Sequence, residues 1–96
     1  MESVNADEGM SGNRQIVVTL LTRPGCHLCE EAKAQIAPVL AEFGATLREV
    51  NIDTDPFLRD THGYDIPVLF LGDRKIAKHR VDLVQLRRQL EAARDR

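Results

Sequence analysis

Tryptophan is absent from the chain, tyrosine occurs once and phenylalanine three times, so aromatics make up 4% of 96 residues. A core drawn from this supply is aliphatic and small, with a modest stability margin. Long apolar runs are missing too. The longest, Ile16 to Leu21, is interrupted by Thr19 and falls far short of the roughly 18 residues of a membrane helix. No long apolar stretch follows the acidic N-terminus, so no secretory signal peptide is expected. Neither sign of charge dominates: 13 Lys and Arg face 15 Asp and Glu. Residues 1–13 hold Glu2, Asp7 and Glu8 with no base; their −3 turns the formal −2 of the whole into +1 for residues 14–96. So nearly neutral a globule gives no general reason to expect nucleic acid or an anionic membrane as partner. With 43% apolar and 29% charged residues, the chain is neither a disordered polymer nor a coiled-coil rod. Its length suits one domain.

Cysteine is scarce as well, and its placement is informative. A secreted domain this small normally carries several crosslinks. Here both cysteines sit in one tetrad, Cys26-His27-Leu28-Cys29. A bond between them closes a loop too short to constrain the unfolded chain much, so reversible redox chemistry explains them better than a structural staple. The cytoplasm is the expected compartment.

Residues 1–13 read as a disordered acidic tail, in which Met10 is an alternative start, and residues 14–96 as the folded domain. Ile16 to Leu21 is β-branched and apolar on both faces, the pattern of a central strand. Arg23-Pro24-Gly25 then makes a turn. Leu28, Ala32, Ile36, Val39 and Phe43 form one stripe of a helix that ends at Gly44, with a kink expected at Pro38. Thr46 to Ile52 reads as a second strand, and Asp55-Pro56 opens a short helix that ends by Gly63. Ile66 to Leu71 is a third strand, joined through Gly72-Asp73 to a returning strand from Arg74 to about Ala77. Asp82 and Gln85 cap a last helix, whose apolar face is Leu83, Leu86, Leu90 and Ala93. The order is β-α-β-α-β-β-α: an α/β fold whose four-stranded mixed sheet is flanked by helices.

The chemistry concentrates at the tetrad. Cys26 follows the turn and sits where a helix begins, so free N–H groups and the positive end of the helix dipole stabilise its thiolate. Arg23 adds positive charge from the approach turn. Cys29 lies one helical turn on, within reach of Cys26. The inferred division of labour makes Cys26 the exposed attacking thiolate and Cys29 the buried resolving thiol. His27 either tunes the pair or points its ring into water. Metal is the rival explanation of any C-x-x-C. A closed zinc site wants four ligands, whereas the chain offers two Cys with the scattered His27, His62 and His79. No metal site is expected within one monomer. An iron–sulfur cluster would need outside thiols, from a dimer or from glutathione. A non-catalytic module whose cysteine pair merely senses redox state is the other alternative. A separate basic group, Arg74, Lys75, Lys78, His79 and Arg80 with Arg87 and Arg88 beyond, is either a solvated face or an anion site for a small carboxylate-bearing ligand.

Thr22-Arg23-Pro24-Gly25-Cys26-His27-Leu28-Cys29 after a first strand, with Ile66-Pro67-Val68 before a hairpin, resembles the thioredoxin superfamily and, within it, the small glutaredoxin-like proteins. The resemblance covers most of residues 15–91. It implies a thioredoxin-like fold and a thiol–disulfide oxidoreductase. It also implies that Pro67 is cis and packs beside the cysteines, with the Ile66 backbone offering hydrogen bonds to an extended substrate. Cys26, Cys29, Arg23, His27, Ile66, Pro67, Lys78 and Asp82 are thus the candidate site residues. The implied partners are protein or peptide disulfides, with a reductase or a low-molecular-weight thiol as electron donor. Glutathione is a candidate reductant or co-substrate, no cofactor is expected to be bound, and the chain should be a monomer.

Two departures qualify the resemblance. Glutaredoxins show Cys-Pro-Tyr-Cys and thioredoxins Cys-Gly-Pro-Cys, so the potential of this Cys-His-Leu-Cys pair cannot be copied from either. Glutaredoxins also carry a Gly-Gly stretch and paired Asp after the hairpin, which hold the tail of glutathione. Here Ile76 to Asp82 has no Gly and one Asp, Asp82. Glycine permits a conformation and a proximity that the β-carbons of Lys78 and His79 are expected to obstruct.

Overall fold

Strand β1 (Val17–Thr22) takes up the β-branched stretch at the start of the domain. Successive side chains point to opposite faces, and both faces are covered: Val18 and Leu20 pack to one side, Leu21 to the other. The computed structural model describes residues 15–94; the tail expected over residues 1–13 lies outside the described residues. After β1 comes α1 (His27–Phe43), which closes at Gly44 with φ 64, a left-handed conformation that costs glycine no Cβ clash. The helix does not stop at Pro38. Ala34, whose carbonyl loses its helical donor there, and Pro38 are both exposed, so the unpaired carbonyl lies on the solvent side of the helix, where losing its donor costs little.

Strand β2 (Thr46–Asn51) runs parallel to β1, with Val17 opposite Thr46 and Thr22 opposite Asn51. Ile52, expected to end this strand, instead opens a 3₁₀ turn (Ile52–Thr54) and is fully buried against Leu21 and Val68. Helix α2 (Pro56–His62) starts as expected: Pro56 occupies the first turn and the Asp55 carboxylate accepts the Phe57 and Leu58 N–H groups at 2.9 and 3.4 Å. Strand β3 (Val68–Leu71) is antiparallel to β1, and β4 (Arg74–Lys78) is antiparallel to β3. β3 begins two residues later than Ile66, because Pro67 has no N–H for a ladder. Helix α3 (Leu83–Arg94) is capped by Asp82, which accepts the Val84 and Gln85 N–H groups at 2.9 and 3.3 Å.

The sheet order is β2-β1-β3-β4. Helices α1 and α3 cover one face, where Val18, Leu20, Ile36, Val39, Leu40, Leu69, Leu86 and Leu90 form the main core. Leu21, Ile52 and Val68 form the other layer, packed with Leu58, Ile66 and Phe70. Burying each such aliphatic side chain is worth about 1.5–3 kcal/mol. At the rim, Arg87 of α3 donates from both terminal nitrogens to the Glu42 carboxylate of α1, and the Arg94 guanidinium lies 4.7 Å from the centre of the Phe43 ring. Leu21 pairs with Val68, which sets Pro67 level with the end of β1. The segment leading to Cys26 therefore meets the start of β3 at one end of the sheet.

Candidate active site

The approach to Cys26 is a tight turn. The Cys26 N–H donates to the Arg23 carbonyl at 3.2 Å, Pro24 takes the second position, and Gly25 takes the third with φ 80. This is the arrangement of a type II turn, which needs positive φ at its third residue. The chain leaves it with Cys26 at φ −83 and ψ 108 as the N-cap of α1, and Cys26 Sγ accepts the Cys29 N–H at 3.2 Å. Sulfur thus stands where a capping oxygen normally does, facing the free N–H groups of the first turn. Cys26 and Cys29 are joined in a disulfide, with Cα atoms 5.2 Å apart. Their surroundings differ sharply. Cys26 is partly exposed, whereas Cys29 is 1% exposed on the inner face of α1.

Arg23 is held by a residue that sequence reasoning missed. Its Nη2 and Nε donate to Asp53 Oδ1 at 2.8 and 3.1 Å, so its positive charge has a carboxylate partner thirty residues on. No local pattern announces this pair; it exists because β2 runs parallel to β1 and delivers the 3₁₀ turn beside the approach turn. His27 turns outward. Its side chain is 92% exposed, with Nε2 3.8 Å from Glu31 Oε2 one helical turn on. Across the site the Ile66–Pro67 bond is cis, Pro67 is fully buried and Ile66 half-buried. Among the described residues no group of three or more His, Cys, Asp or Glu is placed to hold a metal ion, and no helix is long and apolar enough to cross a membrane.

Residues 17–91 match the sequence profile of the glutaredoxin-like domain (DUF836). The chain belongs to that glutaredoxin-like family. A glutaredoxin-like protein of Dictyostelium discoideum, a YDR286C homolog, is 36% identical over 84 residues, 81% of this chain and 78% of its own. The X-ray structure of protein XcR50 from X. campestris superposes with a TM-score of 0.58 at 34% identity, covering 78% of this chain and 96% of that one. A mutant thioredoxin from Halobacterium salinarum shares the fold at 17% identity, with a TM-score of 0.57 over 81% of this chain and 74% of its own. The fold is thioredoxin-like, and a bonded Cys26–Cys29 pair at the head of α1 is consistent with a redox role.

Asp82 Oδ1 is engaged by the α3 cap, while Lys78 and Arg80 are exposed. The basic group is dispersed: Arg74 donates to Gln89 and Arg87 to Glu42. His79 corrects one expectation. It takes φ 65, the conformation expected to be closed to it, so only the bulk of its side chain distinguishes it from glycine there. Leu28, Glu31 and Gln35 of α1 face His79, Arg80 and Val81 across a groove of about 220 Å³. A larger hollow of about 570 Å³ lies at the far end of β1, between Gln15, Leu71 and Ala93. None of its lining residues is a cysteine.

Proposed function

We propose that the protein is a thiol–disulfide oxidoreductase whose substrates are protein or peptide disulfides. The observation that carries this is the asymmetry of the pair: an accessible Cys26 at the helix start and a buried Cys29 one turn later. In the reduced protein the Cys26 thiolate is stabilised by the N–H groups and dipole of α1. It attacks one sulfur of the substrate, forming a mixed disulfide and releasing the other sulfur as a thiolate. Cys29 then gives up its proton and attacks Cys26 Sγ. The Cys26–Cys29 disulfide forms and the second substrate thiol departs. Two electrons have passed to the substrate; the Cys29 proton leaves with the second thiol, and the first thiolate takes its proton from water. A reductase or a low-molecular-weight thiol such as glutathione returns them.

The Ile66 backbone receives the substrate in extended form. The chain acts as a monomer in the cytoplasm, where thiols are kept reduced. Neither Arg23 nor His27 transfers a proton in this scheme: Arg23 is paired with Asp53 and His27 faces water. The test is reduction of a protein disulfide followed under a steady supply of reductant. The wild-type protein turns over, Cys26→Ser is inactive, and absence of turnover by the wild type with every disulfide would leave the sensor reading in its place.

A further inference from the structure

We propose that His79 is a latch that fixes the Ile66–Pro67 edge in its substrate-receiving position and thereby favours extended polypeptide disulfides over small ones. This rests on the oxidoreductase reading above and deepens it by naming a positioning residue for substrate choice. Among the described residues, His79 alone has positive φ without being glycine. The Lys78 carbonyl accepts the Arg80 N–H at 2.7 Å around it, which makes a positive-φ γ-turn, a rare and strained form. Such strain persists only where the surroundings over-determine it, and it clusters at functional sites.

What over-determines His79 is the loop before β3. Its N–H is shared between the Pro67 carbonyl at 2.8 Å and the Asp65 carbonyl at 3.2 Å. Its ring Nε2 lies 3.0 Å from the Tyr64 carbonyl and 3.7 Å from Asp65 Oδ1. A carbonyl only accepts, so Nε2 carries the proton that makes this bond. One residue thus grips Tyr64, Asp65 and Pro67. The carbonyls of the residues before and after Ile66 are thus held from one side, and the Ile66 backbone is left for a bound chain. His79 also walls the groove that Leu28, Glu31 and Gln35 of α1 line, which gives side chains of an extended substrate room along α1. A preformed edge spares a polypeptide the cost of ordering it on binding. A small disulfide has few backbone groups to lay along the edge and gains little.

His79→Gly separates the latch from a merely structural role, because glycine adopts φ 65 without strain and the fold is kept. His79→Asn keeps a β-carbon in the same turn and retains a shorter side-chain donor. Two readouts apply, backbone ¹⁵N order parameters for residues 64–66 and kcat/KM for a peptide disulfide relative to 2-hydroxyethyl disulfide. The wild type should show order parameters of about 0.85 and His79→Gly values below about 0.6. The kcat/KM ratio should fall about tenfold in His79→Gly, mainly through KM of the peptide, with His79→Asn in between. A rigid 64–66 segment or an unchanged ratio in His79→Gly overturns the proposal. A wild type that reduces neither disulfide refutes the oxidoreductase reading instead, and the order parameters still decide the latch.

Discussion

The Arg23 guanidinium rests on the Asp53 carboxylate, with Nη2 2.8 Å and Nε 3.1 Å from the same oxygen. The pair is about as much exposed as buried, its side chains 34% and 45% accessible. The charge that the sequence sets beside Cys26 therefore arrives with its opposite. Removing either member shifts the balance felt by the Cys26 thiolate. Arg23→Ala leaves Asp53 unpaired and should raise the Cys26 pKa, whereas Asp53→Asn frees Arg23 and should lower it. Each shift should stay within about one pH unit, because an exposed pair is screened by solvent. The rate of Cys26 alkylation against pH measures both, and the wild type should titrate below the roughly 8.5 of a free thiol.

Gly25→Ala isolates the approach turn. A β-carbon there meets no atom within 4 Å, but φ is 80. The cost is thus conformational, about 1–2 kcal/mol for an L-residue in the left-handed region. Thermal unfolding should register a fall of about 4–8 °C per kcal/mol for a domain of this size. Gly25→Asn should lose less, since asparagine tolerates positive φ.

Much of the fold was legible because local patterns and tertiary demands agree. The stripe from Ala32 to Phe43, the Gly44 cap, the Asp55-Pro56 start and the Asp82 cap each depend on neighbours within one turn, and each is found where the pattern places it; Leu28, expected to begin the stripe, is 46% exposed, and Cys29 and Leu40 take the inner face with the rest. The tetrad was legible for the same reason: a turn, a helix start and a three-residue spacing are local facts. The partners of the site were not. Asp53 meets Arg23 through the parallel register of β1 and β2, and His79 meets Tyr64 through the β3–β4 pairing. Both bonds join residues far apart in sequence, with no periodicity to mark them. The end of β2 and the start of β3 differ from expectation because burial of Ile52 and the missing N–H of Pro67 override strand propensity.

Glu42 gives the acid limb of stability one identifiable contributor. Hydrogen bonds from Arg87 hold its carboxyl below the ordinary carboxylate value of 4.5. A group whose folded pKa is depressed adds stability above its unfolded pKa and loses it as pH falls through the folded value. Glu42→Gln should therefore lower Tm at neutral pH by a small amount. The gap to the wild type should begin to narrow as pH falls below 4.5 and close once pH is below the depressed folded value, and it should narrow in high salt. Melting curves across that range at two salt concentrations check the sign.

Substrate preference tests the reading of the segment from Ile76 to Asp82. The segment from Ile76 to Asp82 has no Gly-Gly stretch of the kind glutaredoxins use for the tail of glutathione, and carries Lys78, His79 and Arg80. Exposed charges such as Lys78 and Arg80 substitute weakly, at about 0–1 kcal/mol each. Protein or peptide disulfides should then be reduced at least as well as a small glutathionylated substrate, compared side by side as kcat/KM. A tenfold advantage for the glutathione substrate, about 1.4 kcal/mol, would contradict this.

The sharpest measurement follows the two sulfurs. Cys29→Ser leaves the accessible sulfur without its resolving partner, so the reaction should halt at the mixed disulfide. Incubating reduced Cys29→Ser with a protein disulfide and mapping the product by mass spectrometry should find the adduct on Cys26. Reduced Cys26→Ser, whose remaining thiol is 1% exposed in the folded chain, should form little or none under the same conditions. Adducts carried mainly by Cys29 in the Cys26→Ser protein, with none on Cys26 in Cys29→Ser, would contradict the account and reverse the roles of the two cysteines.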